Sequence, residues 1–296
     1  MSGRDIALVL LICVAWAFNF LTSARALQEV PPFLFTALRF GLLGICLVPF
    51  MKRPPPGQWA RIIFCGLFVG VLHFGLSFWA LQESSDLSSP AVVMQSYVPM
   101  TAVLAWMILG EKFGWRTGLA IAVSFAGIIV LGFDPTVMQQ PKALILMLLS
   151  ALALAIATIY MKKITGLSLF DQQGYFAWIA LLPLLIISWI FEPQAFQSLQ
   201  YYSPNVWIGV FYAAMISSLL GHGLYFQLLQ RNPIAQVTPW LLLTPVMGIG
   251  IGILFWGDRP GVKLLIGAAM ILSGVLMIAL RQLSKARIQP SPADEL

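Results

Sequence analysis

Charged side chains are scarce in this sequence: Asp, Glu, Lys and Arg make up 9% of its 296 residues, whereas apolar residues make up 59%. Soluble domains contain about a quarter charged residues, so a chain with this little polar surface is not expected to fold in water. Its apolar runs of about 18–25 residues are long enough to cross a hydrocarbon core of ~30 Å. The composition therefore predicts a polytopic membrane protein.

Cysteine and the usual catalytic motifs are scarce or missing. Cys13, Cys46 and Cys65 all lie inside apolar runs, which indicates small buried side chains rather than a disulfide framework. The sequence contains no Gly-x-x-x-x-Gly-Lys-Ser/Thr loop, no His-Glu-x-x-His pair and no Gly-x-Ser-x-Gly elbow. These absences argue against an ATP motor, a metal hydrolase and a serine hydrolase. We therefore expect no catalytic residue, metal or cofactor, and scattered basic residues give no sign of nucleic-acid binding.

The apolar runs predict an all-α integral membrane protein with ten transmembrane helices. Strands are not expected, because the runs are too long and lack period-2 alternation. The breaks between runs are short and rich in turn residues, so no soluble domain fits between them. The predicted spans lie near residues 6–26, 33–50, 60–82, 88–109, 116–133, 142–162, 173–191, 205–230, 234–256 and 262–280. The polar tail, residues 282–296, is predicted to be disordered.

Basic residues predict the orientation in the membrane. Twelve Lys and Arg residues fall on the side that carries the N-terminus and four on the other side, while Arg39 lies inside a span. Because cytoplasmic loops carry the excess of Lys and Arg, both termini are expected in the cytoplasm. The twelve are Arg4, Lys52, Arg53, Arg61, Lys112, Arg116, Lys162, Lys163, Arg231, Arg281, Lys285 and Arg287.

The second half of the chain repeats the first. Val98-Pro99 and Gly110-Glu111 lead to Gly127, just as Thr244-Pro245 and Gly257-Asp258 lead to Gly274, and sixteen residues separate acid from glycine in both copies. Such a period indicates two units, residues 1–140 and 141–281. Since each unit has five spans, an odd number, the two must have opposite orientations. Inverted repeats are typical of secondary transporters, whose substrate site lies near the midplane between the repeats.

Polar and aromatic residues inside the spans are the candidate substrate-binding residues, because polar groups at this depth usually face the bundle interior. They are Trp16, Asn19, Arg39, His73, Gln95, Trp178, His222, Tyr225 and Trp240. The aromatic rings are assigned to stacking contacts and His73, Gln95 and His222 to hydrogen bonds, while Asn19 and Arg39 would orient the substrate or hold a gate. A structural role is the alternative to substrate binding. Arg39 would then snorkel or cap a helix, and the histidines and the Trp16–Asn19 pair would join helices by packing and hydrogen bonds.

Two further sets of residues are assigned structural roles. Glu111 and Asp258 are expected to cap helix ends or to pair with Lys112 and Arg259, and no span carries a central Asp or Glu for proton coupling. Coupling would then use a histidine, another device or none. Close helix packing is predicted along two rows of small residues, Gly114, Gly118, Ala122 and Ala126 in one and Gly209, Ala213, Ser217 and Gly221 in the other.

Short motifs in a fixed order connect this sequence with a known family. They are Ala15-Trp16-Ala17-Phe18-Asn19-Phe20, Pro32 with Arg39-Phe40, and the repeated set of Pro99, Gly110-Glu111 and Gly127 with Pro245, Asp258, Gly267 and Gly274. The chain resembles the drug/metabolite transporter superfamily, in particular its ten-helix EamA-type bacterial exporters, over residues 1–281. The sequence departs from the family pattern at three places. Residues 153–158 of span six lack the Trp and Asn of span one, and Ala120 stands in the first half at the position equivalent to Gly267 in the second. Asp258 stands where the family usually has Glu. These departures weaken an expectation of symmetric substrate contacts.

The resemblance implies a secondary transporter of the bacterial inner membrane with both termini inside, exporting amino acids or related small metabolites. Spans one to four and six to nine would line its cavity, and spans five and ten would be peripheral. The expected partners are a small-molecule substrate and the lipid bilayer, and the sequence leaves a homodimer open. Import instead of export, a channel, an accessory membrane subunit and a membrane enzyme acting on lipid are the alternatives that the sequence leaves open.

Overall fold

The protein is a bundle of helices in the computed structural model, which describes residues 2–232 and 234–288. Ten helices are long and apolar enough to cross a membrane, as predicted, and the described residues form no strand. The ten are α1 (Gly3–Leu27), α2 (Pro32–Phe50), α3 (Trp59–Glu83), α4 (Ser88–Leu109), α5 (Trp115–Gly132), α6 (Pro141–Met161), α7 (Leu169–Phe191), α8 (Pro204–Arg231), α9 (Pro239–Trp256) and α10 (Val262–Ile288). Short helices Pro135–Met138 and Pro193–Gln197 lie between them, and helix Ile234–Leu241 leads into α9 and overlaps its first three residues.

The helices start and stop where the local sequence supplies caps. Ser2 and Asp5 form a capping box at the start of α1, and Ser168 and Asp171 form another at the start of α7. Gly110 and Gly257 end α4 and α9 with positive φ angles of 66° and 84°, a conformation that favours glycine.

The last helix is longer than predicted. It continues to Ile288, into the first part of the tail for which disorder was predicted from residue 282. Residues 289–296 of that predicted tail lie outside the described residues.

The contacts between helices show that the two halves of the chain pack symmetrically. Helix α2 packs against α7, and α5 packs against α10. Helix α1 contacts α8 and α9, while its counterpart α6 contacts α3 and α4. Exchanging each helix of the first five with the corresponding helix of the second five leaves this pattern unchanged. The fold is therefore an all-α membrane protein of two inverted five-helix repeats.

The α5–α10 pair is packed through backbone contact, but not along the predicted row. A side chain at Gly127 would place its Cβ 2.8 Å from the carbonyl oxygen of Gly267, so neither glycine can be replaced without moving a helix. Gly114 of the predicted row has no heavy atom within 4 Å of such a Cβ, and Ala122 is exposed. The contact lies on the neighbouring face of α5, because helical spacing alone does not say which of two small-residue faces meets a partner. The predicted row on α8 is buried throughout and contacts α1.

Both α3 and α8 contain a long π-helical segment that the sequence did not predict. The segments are Leu67–Gly75 and Tyr212–Gly221, and they occupy equivalent positions at the repeat offset of 146 residues. π-Helical turns are rare and frequent at functional sites. These two bracket the region where the repeats meet.

Candidate functional site

Arg39 lies at the centre of the candidate site. Its side chain is 1% exposed, and its Nη2 donates a hydrogen bond of 2.6 Å to the hydroxyl of Ser218 on α8. The guanidinium carbon lies 4.1 Å from the ring centroid of Phe74, with the rings of Phe40 and Phe78 at 5.1 and 5.3 Å. Cation–π attraction to three rings partly replaces the water that this charge has lost.

Trp16 and His222 form an aromatic group beside Ser218. The indole Nε1 of Trp16 donates a 3.0 Å hydrogen bond to the carbonyl of Ser217, and the indole ring lies 5.1 Å from the His222 ring. Tyr225 adds an edge contact with Trp16 at 6.1 Å. His222 Nδ1 lies 3.1 Å from the carbonyl of Ser218. A carbonyl only accepts, so Nδ1 carries the proton in this contact.

His73 connects the other pair of helices at the repeat interface. Its Nδ1 lies 2.9 Å from the hydroxyl of Ser150 on α6, and that hydroxyl donates to the His73 carbonyl at 2.8 Å. Because the hydroxyl proton is used in the second bond, His73 Nδ1–H is the donor in the first. The His73 ring also contacts Phe74 at 4.5 Å. Phe74 therefore touches both Arg39 and His73.

The π-helical segments place these groups. Ser217 and Ser218 lie near the end of the α8 segment, and the Ser218 hydroxyl donates to the carbonyl of Ala213, five residues back. Gly221 ends the segment directly against the Trp16 indole, where a Cβ would have no room. The changed bonding pattern of a π turn lets side chains reach main-chain carbonyls that an α-helix would use itself.

The remaining sequence-predicted residues are less closely joined to this group. Asn19 is half-buried and Gln95 lies in a 3₁₀ turn of α4, Met94–Ser96. Trp178 is 40% exposed and packs on Gly44, and Trp240 is 37% exposed. The contacts described above thus join Trp16, Arg39, His73, His222 and Tyr225, whereas the substrate-binding roles of all nine residues stay predictions.

Several buried polar atoms near the repeat interface have no hydrogen-bond partner among the described residues. They are Asn19 Oδ1 on α1, Nε and Nη1 of Arg39 on α2, Ser96 Oγ on α4 and Thr244 Oγ1 on α9. Buried polar groups are bonded in the great majority of cases, so each exception calls for a reason. Ser23 Oγ, Gln58 Oε1 and Ser188 Oγ are buried without a partner among the described residues as well, but Arg39 alone has two such atoms, which fits a residue that binds a polar molecule.

Carboxylates from connecting segments cap helices of the opposite repeat at one membrane face. Asp258 Oδ2 accepts hydrogen bonds from the backbone N–H of Leu87 and Ser88 and from the Ser88 hydroxyl, at 3.0, 2.9 and 2.6 Å. Glu192 accepts from the N–H of Phe33 and Leu34, both at 3.0 Å. We call this face, formed by the segments that follow α1, α3, α5, α7 and α9, the capped face. Negative charge at a helix N-terminus is stabilising.

Asp258 therefore caps α4. The equivalent acid of the first repeat, Glu111, has the same local backbone structure, but its side chain has a different partner. In both copies the N–H after the left-handed glycine bonds to the carbonyl six residues back, Ala105 for Glu111 and Gly252 for Asp258. Asp258 is buried, whereas the Glu111 side chain is 56% exposed and lies 3.7 Å from Lys162. Of the two predicted roles, capping is confirmed for Asp258. Glu111 pairs with Lys162, a partner that the sequence did not indicate.

A polar cavity of about 230 Å³ lies beside Asp258 at the capped face. Asp86, Thr136 and Arg259 contribute to its lining. Burial raises the pKa of Asp86, and the nearby charge of Asp258 raises it further. Asp86 accepts bonds from the N–H of Ser89 at 2.6 Å and from Gln140 at 2.7 Å, which hold it against the start of α4.

The sequence is matched twice by one family model, that of the EamA-like transporter family, over residues 4–133 and 141–280. The chain belongs to the EamA-like transporter family. It is 27% identical over 283 residues to a protein of Escherichia coli K12 named probable amino-acid metabolite efflux pump, covering 93% of this chain and 94% of that one.

Two other comparisons show how widely this architecture is shared. A protein of Escherichia coli K12 named uncharacterized inner membrane transporter YedA is 22% identical, over 90% of this chain and 88% of its own. A crystal structure superposes with a TM-score of 0.62 at 18% identity, covering 95% of this chain and 99% of that one. At that identity the likeness shows the fold alone.

Membership in the EamA-like family confirms the resemblance drawn from the sequence motifs, and with it a multi-pass membrane transporter of small molecules. Ser150 and Phe74 are residues of the candidate site that the sequence did not single out, and Ser217 was predicted only as part of a packing row. Phe74 follows His73 directly and Phe78 lies four residues further on, so an aromatic row beside a membrane histidine was the available signal. Nothing comparable marks Ser150, because its partner lies on another helix.

Proposed function

We propose that this EamA-like transporter exports amino acids or related small metabolites by alternating access between residues 1–140 and 141–281, without chemical change of the substrate. The observation that carries the proposal is the position of the candidate site. Arg39 of the first repeat bonds to Ser218 of the second, and Trp16 of the first bonds to Ser217 of the second. A substrate held here would touch both moving parts, as in secondary transporters built from inverted repeats.

The names of the relatives support the substrate class. Proteins of two bacteria, each named probable amino-acid metabolite efflux pump, match this chain over 93% of its length at 27% and 28% identity. Aromatic rings and hydrogen-bonding groups lie together in the site, which suits a small amphipathic molecule. In this proposal Trp16, Tyr225, Trp178 and Trp240 supply apolar contacts, and His73, Gln95 and His222 supply hydrogen bonds. Asn19 and Arg39 orient the substrate.

The orientation belongs to the same proposal. Both termini face the cytoplasm, which places the capped face outside, because the excess of Lys and Arg lies on the side of the N-terminus. The capping carboxylates would then close the outer entrance in the conformation described here. Export from this starting point requires the Asp258 cap on α4 to open.

Counterflow in proteoliposomes tests the proposal, with a labelled panel of amino acids and close derivatives and with or without a pH gradient. Saturable counterflow of one class is the expected result, and a response to the gradient would make His73 and His222 coupling candidates. Trp16→Ala and His222→Ala should lower flux at equal expression. Trp189→Ala is the matched control, since that side chain is 70% exposed and lies on α7. Absence of flux for every compound would sink the proposal and favour an accessory subunit or a lipid-active enzyme.

A further inference from the structure

Arg39 has more hydrogen-bonding capacity than the surrounding protein uses. A guanidinium carries five N–H groups. Ser218 accepts from Nη2, while Nε and Nη1 are buried without a partner among the described residues. The aromatic rings of Phe40, Phe74 and Phe78 contact the cation but accept no conventional hydrogen bond from those atoms.

Neither structural role predicted for Arg39 fits its surroundings. A snorkelling arginine would bring its charge to the membrane surface, but the side chain is 1% exposed. A capping arginine would donate to carbonyls at a helix C-terminus. Its one described hydrogen bond goes instead to the hydroxyl of Ser218, within the π-helical segment of α8.

No carboxylate of the described residues neutralises this charge. The nine described acids all lie in connecting segments or in the first or last turn of a helix: Asp5, Glu29, Glu83, Asp86, Glu111, Asp134, Asp171, Glu192 and Asp258. Neither of the two ion pairs formed by described residues includes Arg39. Removing a cation from water costs more than aromatic contacts return, unless an anion or further hydrogen bonds complete the site. The protein therefore maintains a buried positive charge with unused donors.

We propose that Arg39 is the anchor for a carboxylate of the transported molecule, so that a free carboxylate is the group that every substrate must carry. This inference rests on the proposed function and narrows it. Planar N–H donors of a guanidinium match the two oxygens of a carboxylate, and such bonds are short and strong. Trp16 bonds to the carbonyl of Ser217, the neighbour of Ser218, and contacts Tyr225, so these two rings suit an apolar side chain of the same molecule.

The position of Arg39 links binding of the carboxylate to movement. Arg39 belongs to the first repeat and Ser218 to the second, and their bond crosses the interface between the repeats. A carboxylate that takes donors from Arg39 competes with the Ser218 hydroxyl for the same guanidinium. Occupation of the site thereby changes a contact between the two moving parts. A ligand shifts a conformational equilibrium only through such differential contacts.

The test compares ligands that differ in the carboxylate alone. Purified full-length protein in detergent is heated with L-phenylalanine, its methyl ester and its amide, then with L-leucine and its two derivatives, and the same six compounds compete in counterflow. Free acids should raise the unfolding temperature and compete, and the esters and amides should be at least tenfold weaker. Equal binding of acid and ester by the wild-type protein would overturn the inference, and this comparison needs no variant.

Variants then assign the effect to Arg39. Arg39→Gln should abolish the preference for the free acid, and Arg39→Lys should retain part of it, because Lys keeps the charge without the planar donors. Ser218→Ala is the matched control, since it removes the partner but leaves the guanidinium, so the preference should persist. Persistence in Arg39→Gln would also overturn the inference.

Failure of the proposed function is distinguishable from failure of the anchor. Flux of amino acids and esters alike would leave the exporter standing without the anchor. Stabilisation by free acids in a protein that transports no amino acid would support the anchor and contradict the proposed substrate.

Discussion

Replacing Gly221 by alanine tests whether the contact between α1 and α8 is as close as described. The added Cβ would lie 2.5 Å from Trp16 Nε1 and 3.2 Å from its Cδ1, so the indole must move. Overpacking of this kind costs about 1–3 kcal/mol. Movement of the indole also breaks its bond to the Ser217 carbonyl, and hydrogen bonds between membrane helices contribute about 0.6–2 kcal/mol.

Alanine at a helical glycine brings an opposing gain of about 1 kcal/mol from backbone propensity. Gly250→Ala receives the same gain without the clash, because no heavy atom lies within 4 Å of its added Cβ. The difference in unfolding free energy between Gly221→Ala and Gly250→Ala should therefore be about 2–5 kcal/mol, the sum of the overpacking and the lost hydrogen bond. Thermal unfolding in detergent, followed by circular dichroism, measures it.

A second substitution shows whether the clash is with Trp16. Trp16→Phe removes the Nε1 atom that the new methyl group would strike. The double variant Trp16→Phe/Gly221→Ala should then be more stable than the sum of the two single changes predicts, as for residues in contact. Unfolding of Gly221→Ala within experimental scatter of Gly250→Ala, or strict additivity in the double variant, would refute the described contact.

The other predictions concern the α5–α10 packing, the α3–α6 contact and the capped face. Gly267→Ala should destabilise by about 1–3 kcal/mol, because its Cβ would lie 2.7 Å from Leu131 Cβ; Gly118→Ala, with its nearest atom at 3.6 Å, should not. Ser150→Ala should cost about 0.5–1.5 kcal/mol for each of the two hydrogen bonds of its hydroxyl, one from the His73 Nδ1–H and one to the His73 carbonyl, a loss measurable by unfolding in detergent. Burial and then the charge of Asp258 raise the pKa of Asp86, so its contribution to stability is present below the ordinary value and disappears as pH rises through the raised pKa. As pH rises from about 4 to 7, the unfolding temperature of Asp86→Asn should therefore rise relative to that of the wild type. A difference between the two unfolding temperatures that does not change with pH would contradict this.

The architecture of this protein follows from features that a linear pattern records. Spans of about 20 apolar residues, the repeated Gly-acid spacing and the odd number of spans per repeat are all visible along the chain. Inversion then places the two halves against each other, which brings Trp16 of α1 near His222 of α8. Contacts between helices that the inverted symmetry brings together could therefore be predicted from the sequence.

The details of the candidate site could not be predicted from the sequence, for two physical reasons. A π-helical segment rotates every following side chain relative to an α-helix, and no residue pattern in Leu67–Gly75 or Tyr212–Gly221 marks it. The rotation of each helix about its own axis also decides the partners, as for Ser150 with His73. The same limitation explains why the wrong face of α5 was predicted to pack. Glu111 and Asp258 share motif and backbone, yet only the second reaches a helix terminus of the opposite repeat.

Arg39 also bears on how the membrane potential acts on this transporter. It stands seven residues into α2, or about 10 Å from the start of that helix at 1.5 Å per residue, roughly a third of a ~30 Å hydrocarbon core. A full charge crossing the membrane gains about 2.3 kcal/mol per 100 mV. A conformational change that exposes Arg39 to the opposite side of the membrane changes the fraction of the membrane potential that acts on its charge. If that fraction changes by a third, the electrostatic free energy of the charge changes by on the order of 0.8 kcal/mol per 100 mV. Because no acid of the described residues lies beside it to cancel that effect, the empty carrier should respond to the voltage more than a carrier whose guanidinium is neutralised by a bound anion.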